Sequence, residues 1–203
     1  MRSGSFHPTK ETLISTVVKL LSDNPPDEIS SDEVLEISGI SKGSMYHHFE
    51  DFADLIEHAQ VARFAGFVNQ SIDSLNQLLL HSSDREEMLR GIKEVTRVTQ
   101  SDLLKTQRLD RVTALAKAGH SQRMKENLAI EQDRLTEALA DLFREVVNRG
   151  WGNAALDPIS VAVLIQAYTM GKIVNDFAEH PMEPDRWLYL IDSLLEDLIF
   201  KVN

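Results

Sequence analysis

Apolar residues recur at spacings of three and four along this chain, and strict alternation is rare, so the pattern predicts helices throughout. Leu13, Val17, Leu20 and Leu21 line one face of a first helix, from about Pro8 to Ser22, with Pro8 suited to its first turn. The segment "DNPPDE" breaks it. Ser30 and Glu33 form a capping box that opens a second helix, roughly Ser31 to Ser38, and Gly39 ends it. Ser41 caps a short third helix, about Lys42 to His48. Asp51 caps a long fourth helix that continues to about Leu80. After "HSSD", Ser83 and Glu86 make another capping box, and the fifth helix carries Met88, Ile92, Val95 and Thr99 on one face. A sixth carries Val112, Leu115 and Ala116 and ends near Gly119. The seventh, about Ser121 to Arg149, carries Met124, Leu128, Leu135, Leu139, Leu142 and Val146. "RGWGN" breaks it, and prolines at 158 and 184 start an eighth and a ninth. The chain is therefore expected to be all-α, with about nine helices and neither internal repeats nor low complexity. Three short helices form a helix-turn-helix domain over 1–52, and a larger helical domain follows over 53–203.

The last two helices carry more apolar surface than one face can use. "ISVAVLIQAYTMGKIV" is apolar around most of its circumference, and Trp187, Leu188, Leu190, Ile191, Leu194, Leu195, Leu198 and Ile199 crowd the ninth helix. A helix that is apolar all round is buried on more than one side. The simplest solution is a two-fold dimer in which both helices meet their copies. Its expected contacts are Ile165, Tyr168, Trp187, Ile191, Leu194, Leu195 and Leu198.

Composition narrows the setting. No apolar run approaches the ~20 residues of a membrane helix. The first ten residues lack the apolar core of a signal peptide. There is no cysteine, so disulfides and thiolate metal sites are excluded, and a cytoplasmic protein is the expectation. The net charge of −11, with four Lys/Arg against eight Asp/Glu in the first fifty residues, argues against a broadly basic nucleic-acid face.

Against that stands "SGISKGSMYHHFEDFADL", residues 38–55, for which three chemistries compete. His47 and His48 are adjacent, so on a helix they point about 100° apart and chelate one ion poorly. Zinc helices place His at i and i+4, and no H-E-x-x-H exists here, so no metal site is expected. "GISKGS" lacks the G-x-x-x-x-G-K-[ST] spacing and the preceding strand of a phosphate loop. A nucleic-acid-reading helix fits better. Ile40, Met45 and Phe49 fall inward on the third helix, towards Val17 and Leu20 of the first. Lys42, Gly43, Ser44, Tyr46 and His47 fall outward, offering donors, a small residue and a hydroxylated ring to phosphates and base edges.

These residues resemble the recognition-helix segment of the TetR family of transcriptional regulators. The family pattern, roughly G-[VI]-S-x-[GP]-[ST]-[LM]-Y-x-H-F followed by a polar helix start and a leucine, is matched by Gly39, Ile40, Ser41, Gly43, Ser44, Met45, Tyr46, His48, Phe49 and Leu55. "SSDEVLEI" is similar to the family's second helix, with Ser30 at its capping position. The resemblance implies that the third helix enters the major groove of a palindromic double-stranded operator. Ser41, Lys42, Gly43 and Ser44 would then lie at bases or phosphates, Tyr46 and His47 near the backbone, and Ser30 at a phosphate. Phe52 stands where many members carry a phosphate-contacting lysine.

The resemblance also implies a dimer, and a small-molecule effector in the larger domain whose binding releases or modulates the operator complex. The polar residues that interrupt apolar faces there are Thr96, Gln100, Arg108, Arg111, Gln132, Tyr168 and Asn175, with Phe67, Trp151 and Met170 as apolar walls. No cofactor is implied. The rival class is an all-α scaffold that keeps this fold without effective DNA binding, which the acidic first fifty residues and Phe52 favour. No nucleophile, acid/base pair or metal spacing supports an enzyme.

Overall fold

Gly39 closes the second helix in the left-handed conformation (φ 67°), which a residue without a Cβ adopts at little cost, and the chain turns directly into the third. The computed structural model describes residues 7–201, so residues 1–6 and 202–203 of the two expected domains lie outside the described residues. Helices α1 (Pro8–Leu20), α2 (Ser31–Ser38) and α3 (Lys42–His48) pack around Leu13, Val17, Val34, Met45 and Phe49. Helix α4 (Phe52–His81) is capped by Asp51, whose carboxylate accepts the Asp54 N–H. Its first turns add Leu55, Ile56 and Ala59 to this small core, and Phe64, Val68 and Leu75 further along belong to a second, larger one. At ~1.5 Å per residue the helix is roughly 45 Å long, long enough to serve both.

The larger core is enclosed by α5 (Arg85–Gln100), α6 (Lys105–Ala118), α7 (Gln122–Asn148), α8 (Pro158–Gly171) and α10 (Pro184–Leu194). Helices α4 and α8 both lie along α7, whose buried stripe follows the predicted periodicity from Met124 to Val146. A single-turn helix, α9 (Ile173–Asp176), follows α8, and a π-helical turn (Leu195–Ile199) follows α10. The Phe200 carbonyl then accepts two bonds from the Arg85 guanidinium, tying the chain end to α5. No strand occurs among the described residues, so the all-α expectation holds.

Three expectations need correcting. The cap of α5 is Asp84, not Ser83, and its partner is Glu87, not Glu86. Glu87 accepts from both the N–H and the hydroxyl of Ser83, and these bonds hold its carboxyl below the usual carboxylate range. The buried stripe of α6 is Arg108, Arg111, Ala114 and Ala118, while Ala116 is exposed. The inward face of α6 thus carries two arginines, which no apolar periodicity reveals.

The third correction concerns the dimer contacts. Ile191 (3% exposed) and Leu195 (0%) are enclosed by their own chain. Ile165 and Tyr168 line a cavity that opens to solvent, and the Trp187 indole N–H donates to the Gln100 side-chain oxygen. Leu194 is half-buried. Of the seven, Leu198 (40%) is the most exposed, and Val163, Leu164, Tyr189 and Leu190 join it at the surface. The free apolar surface of α8 and α10 is therefore offset from the expected one. On a helix apolar all round, the sequence does not mark the side its own core takes.

Candidate nucleic-acid interface and internal cavity

Three side-chain caps set the geometry of the helix-turn-helix. Ser30 Oγ accepts the Glu33 N–H at 3.2 Å and opens α2. Ser41 Oγ accepts the Ser44 N–H at 3.2 Å and donates to Ser44 Oγ at 3.0 Å, opening α3. Met45 and Phe49 anchor α3 in the small core, with Ile40 partly buried beside them. That anchoring fixes the rotation of the helix. Ser41, Lys42, Gly43, Tyr46 and His47 are exposed, Ser44 is half-buried, and Ser30 is exposed at the start of α2. Six of the seven residues thus fall on α3 and its cap, and Ser30 stands apart at the start of α2.

A Cβ built on Gly43 meets nothing within 4 Å, so the glycine serves no packing need inside the protein. His48 does not point freely outward. It is half-buried, its ring 4.7 Å from that of His7 and 5.1 Å from that of His47. Burial, and then the neighbouring His7, His47 and Lys10, push its pKa below the ordinary 6.5. Phe52 opens α4 half-buried against the small core, so this position is occupied by packing rather than by a cation. Acidic Asp32 and Glu36 lie exposed on α2.

The two halves are joined by arginines. Arg63 of α4 donates to the Leu21 carbonyl at the end of α1 (2.7 Å) and pairs with Asp110 of α6 (2.6 Å). Arg123 of α7 reaches Glu50 (3.1 Å), Asp54 (3.2 Å) and Glu57 (2.9 Å) around the start of α4.

A cavity of about 430 Å³ lies among α4, α5, α6, α7 and α8. Its walls are mostly apolar, including Phe67, Leu75, Leu135, Leu139, Leu142 and Ile165. Of the seven polar residues marked in the sequence, Thr96, Arg111 and Tyr168 line it. The Thr96 and Tyr168 hydroxyls stand 3.4 Å apart, and burial pushes the Tyr168 phenol up. Gln132 lies behind the wall, bonded to Gln166, which does line the cavity and also donates to Thr136.

The other three do not line it. Arg108 is locked in a buried pair with Asp176 and donates to the Thr99 and Ser101 carbonyls. Gln100 holds Trp187 through its side chain and Lys172 through its carbonyl. Asn175 accepts the Met182 N–H. Neither Trp151 nor Met170 lines the cavity, and Trp151 packs beneath the Arg149 guanidinium. The sequence reading missed Gln166 and Thr169, although a lone glutamine inside the apolar run of α8 was a usable signal.

A wider space of about 730 Å³ lies between the 23–27 turn, α4 and α6, and shares Phe67, Gln70, Gln107 and Arg111 with the first. No group of three or more acidic or histidine side chains that could hold a metal ion occurs among the described residues. None of the described helices is long and apolar enough to cross a membrane.

No family model matches the chain. The nucleoid occlusion factor SlmA of Shewanella sediminis is 22% identical over 206 residues, covering 92% of this chain and 95% of that protein. SlmA of Alteromonas mediterranea is 25% identical over 174 residues, covering 79% and 80%. Among solved structures, reduced NemR of E. coli superposes with a TM-score of 0.65 at 18% identity, over 97% of this chain and 99% of that one. The regulatory protein TetR from Rhodobacter sphaeroides gives 0.58 at 20% identity, over 92% and 98%. With the match running nearly end to end, the chain has the fold of the TetR-family transcriptional regulators.

Proposed function

We propose that this protein is a homodimeric, cytoplasmic, non-enzymatic DNA-binding regulator of transcription, a repressor whose operator complex is modulated by a small molecule. The observation that carries this reading is the display on α3. Met45 and Phe49 hold the helix from inside, while Lys42, Gly43, Tyr46 and His47 stand outward with no packing role assigned to them. Residues 1–52 then act as the DNA-binding unit and 53–203 as the effector-binding and dimerisation unit, with α4 running through both cores. Because Asp32 and Glu36 lie exposed on α2, affinity leans on neutral donors, the amino end of α2 and Lys42 rather than on a basic patch.

The second copy covers the exposed apolar surface of α8 and α10, at Val163, Leu164, Tyr189, Leu190 and Leu198. An isologous contact there sets two recognition helices about one DNA turn apart, which suits a palindrome. The effector occupies the cavity beside α4. It acts by preferring one of two arrangements of the DNA-binding units, and it shifts their balance only by its difference in affinity for the two. The ties of Arg63 and Arg123 are the contacts such a shift must rearrange.

The test is retention of genomic fragments on the purified protein at two salt concentrations, followed by sequencing. Enrichment of a palindrome that weakens with added salt supports the regulator. No enrichment at either salt favours the scaffold alternative. A second reading is motivated by the relatives named as nucleoid occlusion factors. Captured sites that lie away from promoters favour it over transcriptional regulation, so the same experiment separates the two.

A further inference from the structure

Two arginines three residues apart point inward from α6, and their surroundings differ. Arg108 has every part of its fork used: Asp176 takes its Nε and Nη2 groups, and the Thr99 and Ser101 carbonyls take Nη1. Arg111 is equally withdrawn from solvent, at 5% exposed. Yet it makes no ion pair and no side-chain hydrogen bond with any described residue, and its buried Nε has no partner. It stacks 3.7 Å from the Phe67 ring centroid and 5.8 Å from that of Phe64. The neighbouring carboxylate, Asp110, is committed to Arg63. Burial alone lowers the Arg111 pKa, to about 10, which leaves it cationic at neutral pH.

A buried cation without a counter-charge is costly, so such a group is normally paired. Here the fork borders open space instead: Arg111 lines the 430 Å³ cavity. Across from it lie Leu75, Leu135, Leu139, Leu142 and Ile165. The one acidic lining residue, Glu94, is solvent-exposed on α5. The volume falls in the range of ordinary small-molecule sites.

We infer that this cavity takes a small amphipathic anion, an aliphatic or aromatic body ending in a carboxylate that pairs with Arg111. The acid group supplies the missing counter-charge to a planar fork suited to bidentate carboxylate pairing. The body replaces water against the leucine wall. This deepens the regulator reading and rests on it for biological meaning, but the binding chemistry stands on Arg111 and the cavity.

The test is isothermal titration of the full chain with octanoate and with octan-1-ol, probes of equal length that differ in the acid group. Octanoate is expected to bind at least about tenfold more tightly, as a charge-assisted pair in a desolvated site requires. In Arg111→Met that preference is expected to vanish while octanol binding persists. Equal affinities for the two probes in the wild type would overturn the inference, as would no octanoate binding or an unchanged preference in Arg111→Met. The wild-type comparison needs no variant, so a misfolded mutant does not blunt it. Operator capture by the unliganded protein tests the regulator reading separately, so either can fail alone.

Discussion

Replacing Arg108 with methionine should destabilise the chain, whereas the same change at Arg111 should not. Arg108→Met strands Asp176, whose side chain is 2% exposed, and leaves the Thr99 and Ser101 carbonyls without their donor. Removing one member of a buried pair costs about 3–5 kcal/mol. Lys172 Nζ stands 3.7 Å from Asp176 Oδ1, one of the two oxygens Arg108 holds, and recovers part of that, which places the expected loss near the lower figure. For a chain of this size, about 3 kcal/mol corresponds to a fall in Tm of roughly 6–12 °C.

Arg111→Met removes a buried charge that has no partner and keeps an unbranched side chain against Phe67, where sulfur packs well on a ring. Apolar replacement of buried ionic groups is neutral or stabilising by about 1–4 kcal/mol, so Tm should hold or rise by several degrees. The assay is thermal unfolding followed by circular dichroism at one fixed protein concentration, because association shifts Tm. If Arg111→Met destabilised the chain as much as Arg108→Met, Arg111 would have a counter-charge in the unliganded protein, and the reasoning would be wrong.

Other consequences can be checked independently. Gly43→Ala should leave Tm unchanged or slightly raised, since the Cβ enters open space and helix propensity improves by up to about 1 kcal/mol; operator affinity by fluorescence anisotropy should fall if DNA approaches that backbone closely. Tyr46→Ala should weaken operator binding about tenfold with the fold intact, and full retention of affinity would remove α3 from the interface. Leu198→Arg should give a monomer in sedimentation while keeping its helical content, whereas Ile191→Arg should unfold the chain, because only the second is enclosed by its own core. The depressed His48 pKa means the unfolded chain binds more protons near pH 6; stability present above about 6.5 is therefore lost as pH falls below it, and His48→Gln should flatten that loss in urea melts at pH 5.5 and 7.5.

Much of what the sequence makes legible follows from which interactions are local, although the α5 cap, also local, falls one residue beyond its expected place. The caps of α2, α3 and α4 lie within three residues of their partners, so Ser30, Ser41 and Asp51 were assigned from spacing alone. The inward placement of Met45 and Phe49 follows from the same short range, and with it the outward set on α3. The long stripe of α7 was equally legible, because twenty-seven residues of consistent period leave no ambiguity of face. Where the determinant is distant, the reading failed. On α8 and α10 the apolar pattern does not distinguish a face that meets its own core from one that meets a second copy, so it does not reveal that Ile191 and Leu195 are enclosed by their own chain.

Helix α6 makes the same point more sharply. Arg108 and Arg111 lie on one face, three residues apart, and their sequence contexts give no reason to treat them differently. What separates them is Asp176, which lies 68 residues further on and reaches only the first. A polar residue that interrupts an apolar face is therefore an ambiguous signal until its partners are known. With a partner, as in Arg108, it is part of the scaffold. Without one, beside a cavity, it is a request for a ligand of opposite charge, and Arg111 is the one cavity-lining cation in that condition among the described residues. Its sequence neighbour, Asp110, is tied through Arg63 to the Leu21 carbonyl at the end of α1. One turn of α6 thus bears both the cation that lacks a partner and the carboxylate tied to the helix-turn-helix, so under the proposed function a ligand on the first has a short physical route to the second.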